Sequence, residues 1–404
     1  MSKNKYLLVA SILLSATIYS CKKETKDLST QDDEAAKIIK INNSASSNRV
    51  DVSQAGLELN FVAPTETGTL SVTTDATTTD FSSKLVFKGK IDPQIGASNN
   101  PLSALEVSAY GNYYAIAYQT PGDAYGGGVD VFQIQNGAPQ LVSSVSTPDA
   151  DVTCINNGGG RLYLGMDLRT FESFKYPAPA VVGIVKTNGG SLAEPQVVGL
   201  EGYSTKDVRY NPNNDKVYAA SSTQGGISVI SFAGQKASRT AFQSYGDARS
   251  ITISGSDVIA TNGYSYSYFN PNTLAMSKYT EWPIPSIHIP IGRAASLSNG
   301  NFIFGNSKAL IYVNKADGSR LDITEVGGTI NSISIVNEKI YISAGNALLV
   351  AEIQNGKIKI IARTHFDTTF GGSFNVISSR VAGNYVFVAC GNKGTYVFNL
   401  VPKN

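Results

Sequence analysis

The sequence predicts an all-β chain, a seven-bladed β-propeller closed by a strand from the front of the chain. Three observations predict it. From Phe81 onward, short runs of alternating apolar residues recur between Gly, Asn, Pro and Asp, and no long segment has a helical period. The runs form a repeating phrase of four strands with a tight polar turn after the first, and these turns return at roughly 40–50 residues, the spacing of propeller blades. The last unit lacks its fourth strand, while an unassigned strand, Ser83 to Ile91, precedes the first unit.

The turn markers place each unit. They are Tyr110-Gly111-Asn112, Asn157-Gly158-Gly159, Asn211-Pro212-Asn213-Asn214, Ser254-Gly255-Ser256-Asp257, Ser298-Asn299-Gly300-Asn301, Val336-Asn337-Glu338 and Ala382-Gly383-Asn384. An apolar strand follows each, from Tyr113 to Tyr118 in the first unit through Tyr385 to Ala389 in the seventh. The seventh unit ends on its third strand, Gly394 to Leu400. Ser83 to Ile91 is expected to pair with that strand and remove an open edge that would otherwise template aggregation.

The first 80 residues differ in kind. Lys3 and Lys5 precede an apolar run, Tyr6 to Ala16, that is too short to span a bilayer. Ile18-Tyr19-Ser20-Cys21 resembles the lipobox of bacterial lipoproteins. That resemblance implies removal of residues 1–20 as a signal peptide, acylation of Cys21, and a membrane partner through the lipid. An ordinary signal peptide that happens to contain a cysteine is the alternative. Lys22 after the cysteine, and the charged run Lys22 to Asp27, are similar to outer-membrane sorting and export signals. They imply an outer-membrane location, on the periplasmic or the cell-surface side. Residues 21–80 are polar, with a Thr-, Ser- and Asp-rich stretch from Thr65 to Thr79, and are expected to form a flexible tether. Gly56 to Val62 alternates and suits one extra strand. The expected division is signal peptide 1–20, tether 21–80 and propeller 81–404.

Composition narrows the partners. Lys and Arg total 33 against 31 Asp and Glu, a net charge of +2, which argues against nucleic acid. Cys154 and Cys390 sit in apolar, strand-like runs and are expected to be buried as small hydrophobes. A disulfide between them stays open as an alternative in an oxidising compartment. No CxxC pair or zinc spacing appears, and neither cofactor nor metal is expected.

Gly128-Val129-Asp130-Val131-Phe132, Gly226-Ile227-Ser228-Val229-Ile230 and Gly394-Thr395-Tyr396-Val397-Phe398 resemble the third strand of LVIVD-type propeller repeats. Gly383 to Ala389 is similar to the strand before it. The terminal Asp of that motif is mostly absent, and so is the Gly-His and Trp-Asp signature of WD40 repeats. The resemblance implies fold and surface location and no chemistry.

Propeller topology separates two faces. Turns on one are short, as at Gln135-Asn136-Gly137, Asn270-Pro271-Asn272, Ala316-Asp317-Gly318 and Gln354-Asn355-Gly356. On the other they are long: Thr120 to Gly127, Arg169 to Pro179, Trp282 to Gly292 and Thr364 to Ser373. Long loops on one face of a rigid scaffold are where binding is usually carried. Counting back from each first turn aligns Asp151, Asp207, Arg249, Arg293, Asn331 and Asn375, with Ser103 in the first unit, at the mouth of the channel. Two readings stand side by side. These groups cap neighbouring blades and turn backbone, or they form a polar mouth for a carboxylate or hydroxyl-rich ligand, with arginine forks giving direction.

Tyr264, Tyr266 and Tyr268 alternate on one strand face, for inter-blade packing or for stacking on a ligand. Trp282, between Pro283 and Pro285 in a loop, is a further surface candidate. Catalytic chemistry has little to draw on. His288 and His365 are the only histidines, and no Gly-x-Ser-x-Gly elbow or phosphate-binding glycine loop precedes a helix. A metal held by Asp151, Asp207, Asn331 and Asn375 would be repelled by Arg249 and Arg293. The expectation is a non-enzymatic, lipid-tethered propeller that binds a protein partner or a glycan. The alternative is an extracellular hydrolase or lyase using the same mouth.

Overall fold

The computed structural model describes residues 34–44, 48–63, 81–97, 99–254, 257–281, 292–297 and 299–403. Seven antiparallel sheets follow one another around a ring, each with its first strand innermost. Blade 1 runs Ser103–Tyr110, Tyr113–Gln119, Gly127–Gln135 and Ala138–Thr147. Blades 2 to 6 begin with Ala150–Gly158, Ser204–Asn211, Ser250–Ser254, Gly292–Ser296 and Ile330–Val336. Blade 7 has Ser378–Ala382, Tyr385–Ala389 and Thr395–Pro402 from the end of the chain. Its outer strand is Ser83–Ile91, paired antiparallel with Thr395–Pro402 from Thr395↔Ile91 to Pro402↔Ser83. The ring closes as the sequence predicts.

The second strand of each blade is buried nearly throughout because apolar side chains face both neighbouring blades. Phe302–Asn306 and Ala309–Val313 are buried at every residue. Outer strands alternate, as one face is wet. Leu85, Phe87, Gly89 and Ile91 are buried on the closing strand. Phe87 packs on Phe398 across the closure, with ring centroids 5.5 Å apart.

The glycines that open the LVIVD-like third strands have a physical reason. A Cβ at Gly128 would sit 2.5 Å from the Val145 carbonyl oxygen, at Gly226 2.1 Å from that of Gln243, and at Gly394 2.3 Å from that of Ile91. In all three blades the outer strand's backbone fills the space a side chain would need.

One expectation is corrected. Residues 34–44 and 48–63 fall within the expected flexible tether but are packed onto the propeller. Residues 34–38 form a helical turn, and Ala35, Ile38 and Ile39 are buried among Val145, Met166 and Val181 of blades 1 and 2. Lys40–Asn42 adds a fifth strand to blade 1, and Val50–Asp51 and Glu58–Asn60 pair with the closing strand. The last of these lies inside the extra strand expected over Gly56 to Val62. Arg49 forks onto the fully buried Asp130, at 2.7 and 2.8 Å, and Gln94 Nε2 donates to the same carboxylate at 2.9 Å. Asp130 lies mid-strand in the first LVIVD-like segment, so an N-terminal residue neutralises a carboxylate inside blade 1. The segment's low hydrophobicity masked its docking, which is made by a few apolar residues, three short strands and two ion pairs, Arg49–Asp130 and Glu58–Lys84. Cys21, the signal segment and Thr65 to Thr79 lie outside the described residues.

Removing Arg49 strands a buried charge, and breaking such a pair from one side costs about 3–5 kcal/mol. Arg49→Ala should therefore lower the urea midpoint severely, while Tyr264→Ala, at a side chain 70% exposed, should leave it within error. An unchanged midpoint for Arg49→Ala would mean that this segment does not dock.

Candidate functional site

The inner strands define the channel. The ladders give their true alignment: Glu106, Cys154, Asp207, Ser250, Arg293, Ser332 and Ser378 pair with Ala117, Gly165, Ala220, Thr261, Gly305, Ser343 and Ala389. Of the residues aligned by counting, Asp207 and Arg293 occupy this level. Arg249 and Asn331 lie one residue before it, and Asp151 and Asn375 three before it. The mouth is thus not a single ring of equivalents. Bulges between Ala104 and Glu106, Thr205 and Asp207, and Ile330 and Ser332 each insert one residue into an inner strand. Sequence counting has no means of seeing them.

The partners of these residues are mostly in neighbouring blades. Asp207 is buried, accepting from Ser250 Oγ at 3.0 Å and from the Ile251 N–H at 2.8 Å. Glu106 accepts from the Ile155 N–H at 3.0 Å, and Ser332 Oγ from the Ser379 N–H at 3.2 Å. These are one clip used three times: a side chain at the same level takes the backbone N–H one residue further along in the next blade. Asp151 Oδ1 accepts from the Thr120 and Gly126 N–H groups, tying blade 2 to the long loop of blade 1. Asn331 Nδ2 donates to Asn375 Oδ1 at 3.1 Å and to the Val376 carbonyl at 2.9 Å. Arg249 leans back on Asp247. Ser103 opens the inner strand of blade 1. The capping of neighbouring blades accounts for Asp151, Asp207, Asn331 and Asn375. The Arg293 side chain, His288 and Trp282 lie outside the described residues.

Two residues past each clip comes a second level: Ser108, Asn156, Arg209, Thr252, Ala295, Ser334 and Arg380. Arg209 reaches across the channel, 3.1 Å from Asp207 and 3.8 Å from Glu106. A cavity of about 290 Å³ spans both levels of the channel, lined by Glu106, Arg209, Thr252, Ser334, Ser378 and Arg380 among others. A smaller space of about 100 Å³ adjoins it at Glu106, Thr153, Ser250, Ser332 and Ser378.

The long-loop face carries a separate cavity of about 500 Å³ between blades 1, 2 and 3. Tyr125 comes from the loop of blade 1. Arg169, Phe171 and Pro177 to Pro179 come from that of blade 2, and Glu201, Tyr203, Thr223 and Gln224 from blade 3 and the loop leading into it. A 3-10 turn, Phe171–Phe174, stiffens the longest of these loops, and Tyr203 is 61% exposed. Below Tyr125 lie Asp151 and Asp167, ladder partners whose carboxyls burial pushes up to about 6. Backbone N–H groups, and for Asp167 also Ser204 Oγ, hold each partly back toward the ionised form. Among the described residues no three His, Cys, Asp or Glu side chains cluster as metal ligands would.

The fold of the chain recurs in solved structures. A chain in the crystal structure of the mitotic checkpoint complex matches with TM-score 0.60 and 11% identity, over 83% of this chain and 97% of that one. Sqt1 of Saccharomyces cerevisiae matches with TM-score 0.53 and 11% identity, over 78% and 98%. The shared property is the propeller. No protein-family model matches the chain, and no curated protein matches it.

The remaining candidates fall to packing. Tyr266 and Tyr268 are buried between blades 4 and 5 against Phe304 and Phe302, while Tyr264 stands outside that face. Cys154 and Cys390 are both buried and free, in separate clusters. His365 is held to Asn346, and burial lowers its pKa, with Arg363 adding to the shift.

The raised carboxyls have a sign that can be tested. An ordinary Asp titrates near 3.9, so between roughly pH 4 and 6 the folded state binds protons that the unfolded state does not. This contribution is full below the unfolded value and is lost as pH rises through about 6. The urea midpoint should therefore rise on going from pH 7.5 to 5.5, and an Asp151→Asn/Asp167→Asn variant should show a smaller rise. Identical pH dependence in the two proteins would contradict the assignment.

Proposed function

We propose that this chain is a non-enzymatic binding module, held at the outer membrane by a lipid on Cys21, that takes a protein partner or a glycan through its long-loop face. The cavity at Tyr125, Phe171 and Tyr203 carries the proposal. Tyrosines, prolines and an arginine around a concave floor offer large rigid contact area with few rotamers to freeze, the composition of interaction hot spots. Arg169 pairs with Asp149 and Arg239 with Glu201 at the edge of the cavity, so its rim is charged and its floor apolar. The opposite face has only tight turns at the matching places. For tethering, the support is the sequence alone: an apolar leader, a small residue before Cys21, and a polar stretch ahead of the first docked residues.

A hydrolase or lyase would draw its acids from Asp151 and Asp167. Both oxygens of Asp167 are engaged by Ser204 Oγ and the Thr205 N–H, and Asp151 Oδ1 takes two backbone N–H groups. That commitment favours binding over catalysis.

Two measurements test the proposal. Labelled palmitate should enter the wild-type chain but not Cys21→Ser, and Cys21→Ser should leave the detergent phase; label retained in the variant would remove the anchor. A photocrosslinking residue at Tyr203 should trap a partner in intact cells, and one at Asn355, on a short turn, should not. Equal trapping at both sites would remove the long-loop face.

A further inference from the structure

The channel holds a second cavity, apart from the long-loop face. At its second level, four blades satisfy their polar groups against the next blade. Ser108 Oγ donates to Asn157 Oδ1 at 2.5 Å, and Asn156 Oδ1 accepts from the Tyr210 N–H at 3.0 Å. Thr252 Oγ1 and Ser296 Oγ share a hydrogen bond of 2.8 Å, and Arg209 Nε donates to the Ile251 carbonyl at 3.3 Å. Blade 5 has Ala295 there and needs no partner.

Blades 6 and 7 break the pattern without losing the polar groups. By the same register, Ser334 faces Val381 and Arg380 faces Ala109, neither of which offers a side-chain hydrogen bond. Ser334 is 7% exposed and its Oγ has no partner among the described residues. Ser378, at the clip level, is 6% exposed, and its Oγ also has none, although Glu106, Asp207 and Ser332 at that level each hold an N–H of the next blade. Among the described residues Arg380 makes no side-chain hydrogen bond or ion pair, and it stays open to the channel water. All three line the cavity of about 290 Å³.

The charges differ in the same way. Arg209 is compensated by Asp207 and Glu106. Arg380 is compensated far less: burial and the charge of Arg209 lower its pKa, and Glu106 only partly offsets them. A solvated cation without a counter-charge of its own thus stands beside two buried hydroxyls that use none of their hydrogen-bonding capacity, although such buried groups normally find a partner.

We propose that the channel binds a small organic carboxylate, with the Arg380 guanidinium taking the carboxylate as a fork and the Ser334 and Ser378 hydroxyls donating to it. Planar, two-pronged recognition is what arginine offers a carboxylate. The cavity is near the lower end of small-molecule sites, and the site is distinct from the partner-binding face.

Calorimetric titration of the purified chain with succinate, and separately with inorganic phosphate, tests this. Succinate should bind at one site, and Arg380→Gln should weaken it by about tenfold or more. Ser334→Ala with Ser378→Ala is the more telling variant. Its lost hydroxyls have no partner in the empty protein, so the melting temperature without ligand should hold or rise. Succinate binding should nevertheless fall severalfold. Absence of succinate binding at millimolar concentration, phosphate binding in its place, or succinate binding unaltered in both variants would each overturn the proposal. Neither variant touches Tyr203 or Arg169, so loss of this site leaves partner crosslinking at the long-loop face intact.

Discussion

The structure depends on one pairing, Ser83–Ile91 against Thr395–Pro402. Without it blade 7 would expose the backbone of its last strand, and the ring would be an open stack of sheets with two unpaired ends. With it, blades 1 and 7 are fixed as neighbours, and residues nearly three hundred positions apart come to line one channel. Arg380 stands above Ala109, and Ala104 exchanges backbone hydrogen bonds with Gly391, only because the chain ends are zipped. The docked N-terminal segment reinforces this pairing from outside through Glu58–Asn60 and Val50–Asp51, and Arg49 extends it to Asp130 of blade 1.

Once the ring is closed, its blades are joined by hydrogen bonds as well as by apolar packing. The repeated clip at Glu106, Asp207 and Ser332 places an acceptor opposite a backbone N–H at each joint it serves, and each such group would be costly if buried alone. Different residue types carry the same contact: a glutamate, an aspartate and a serine. The cavities on which the proposed binding rests lie where the repetition lapses. Long loops over blades 1 to 3 enclose a cavity, and among the described residues the second channel level loses its partners at blades 6 and 7.

The sequence made the architecture legible because strands, turns and the missing fourth strand are all local signals. The closing pair was within reach since a surplus strand at one end matched a deficit at the other. The channel residues were harder. Asp207 was placed at the right level, but Asp151 lies beyond a bulge between Val152 and Cys154 that leaves no mark in the pattern of apolar residues, and Asn375 stands ahead of the inner strand of blade 7. Arg380 escaped notice because it follows Ser378 and Ser379 in an unremarkable polar run. Its signal was the absence of a partner in the next blade, which requires the ladder register. Arg49 was hidden by its setting in a polar segment, although Asp130, a carboxylate inside an otherwise apolar strand, announced that some cation had to reach it.

Native-state hydrogen exchange measures the closing pair directly. Amides of Thr395–Pro402 that bond to Ser83–Ile91 should exchange only through global opening, with protection equal to that of interior strands such as Phe302–Asn306. Exchange of those amides through a separate, low-energy opening, while the interior strands stay protected, would show that the ring is not closed by this strand and would contradict the account.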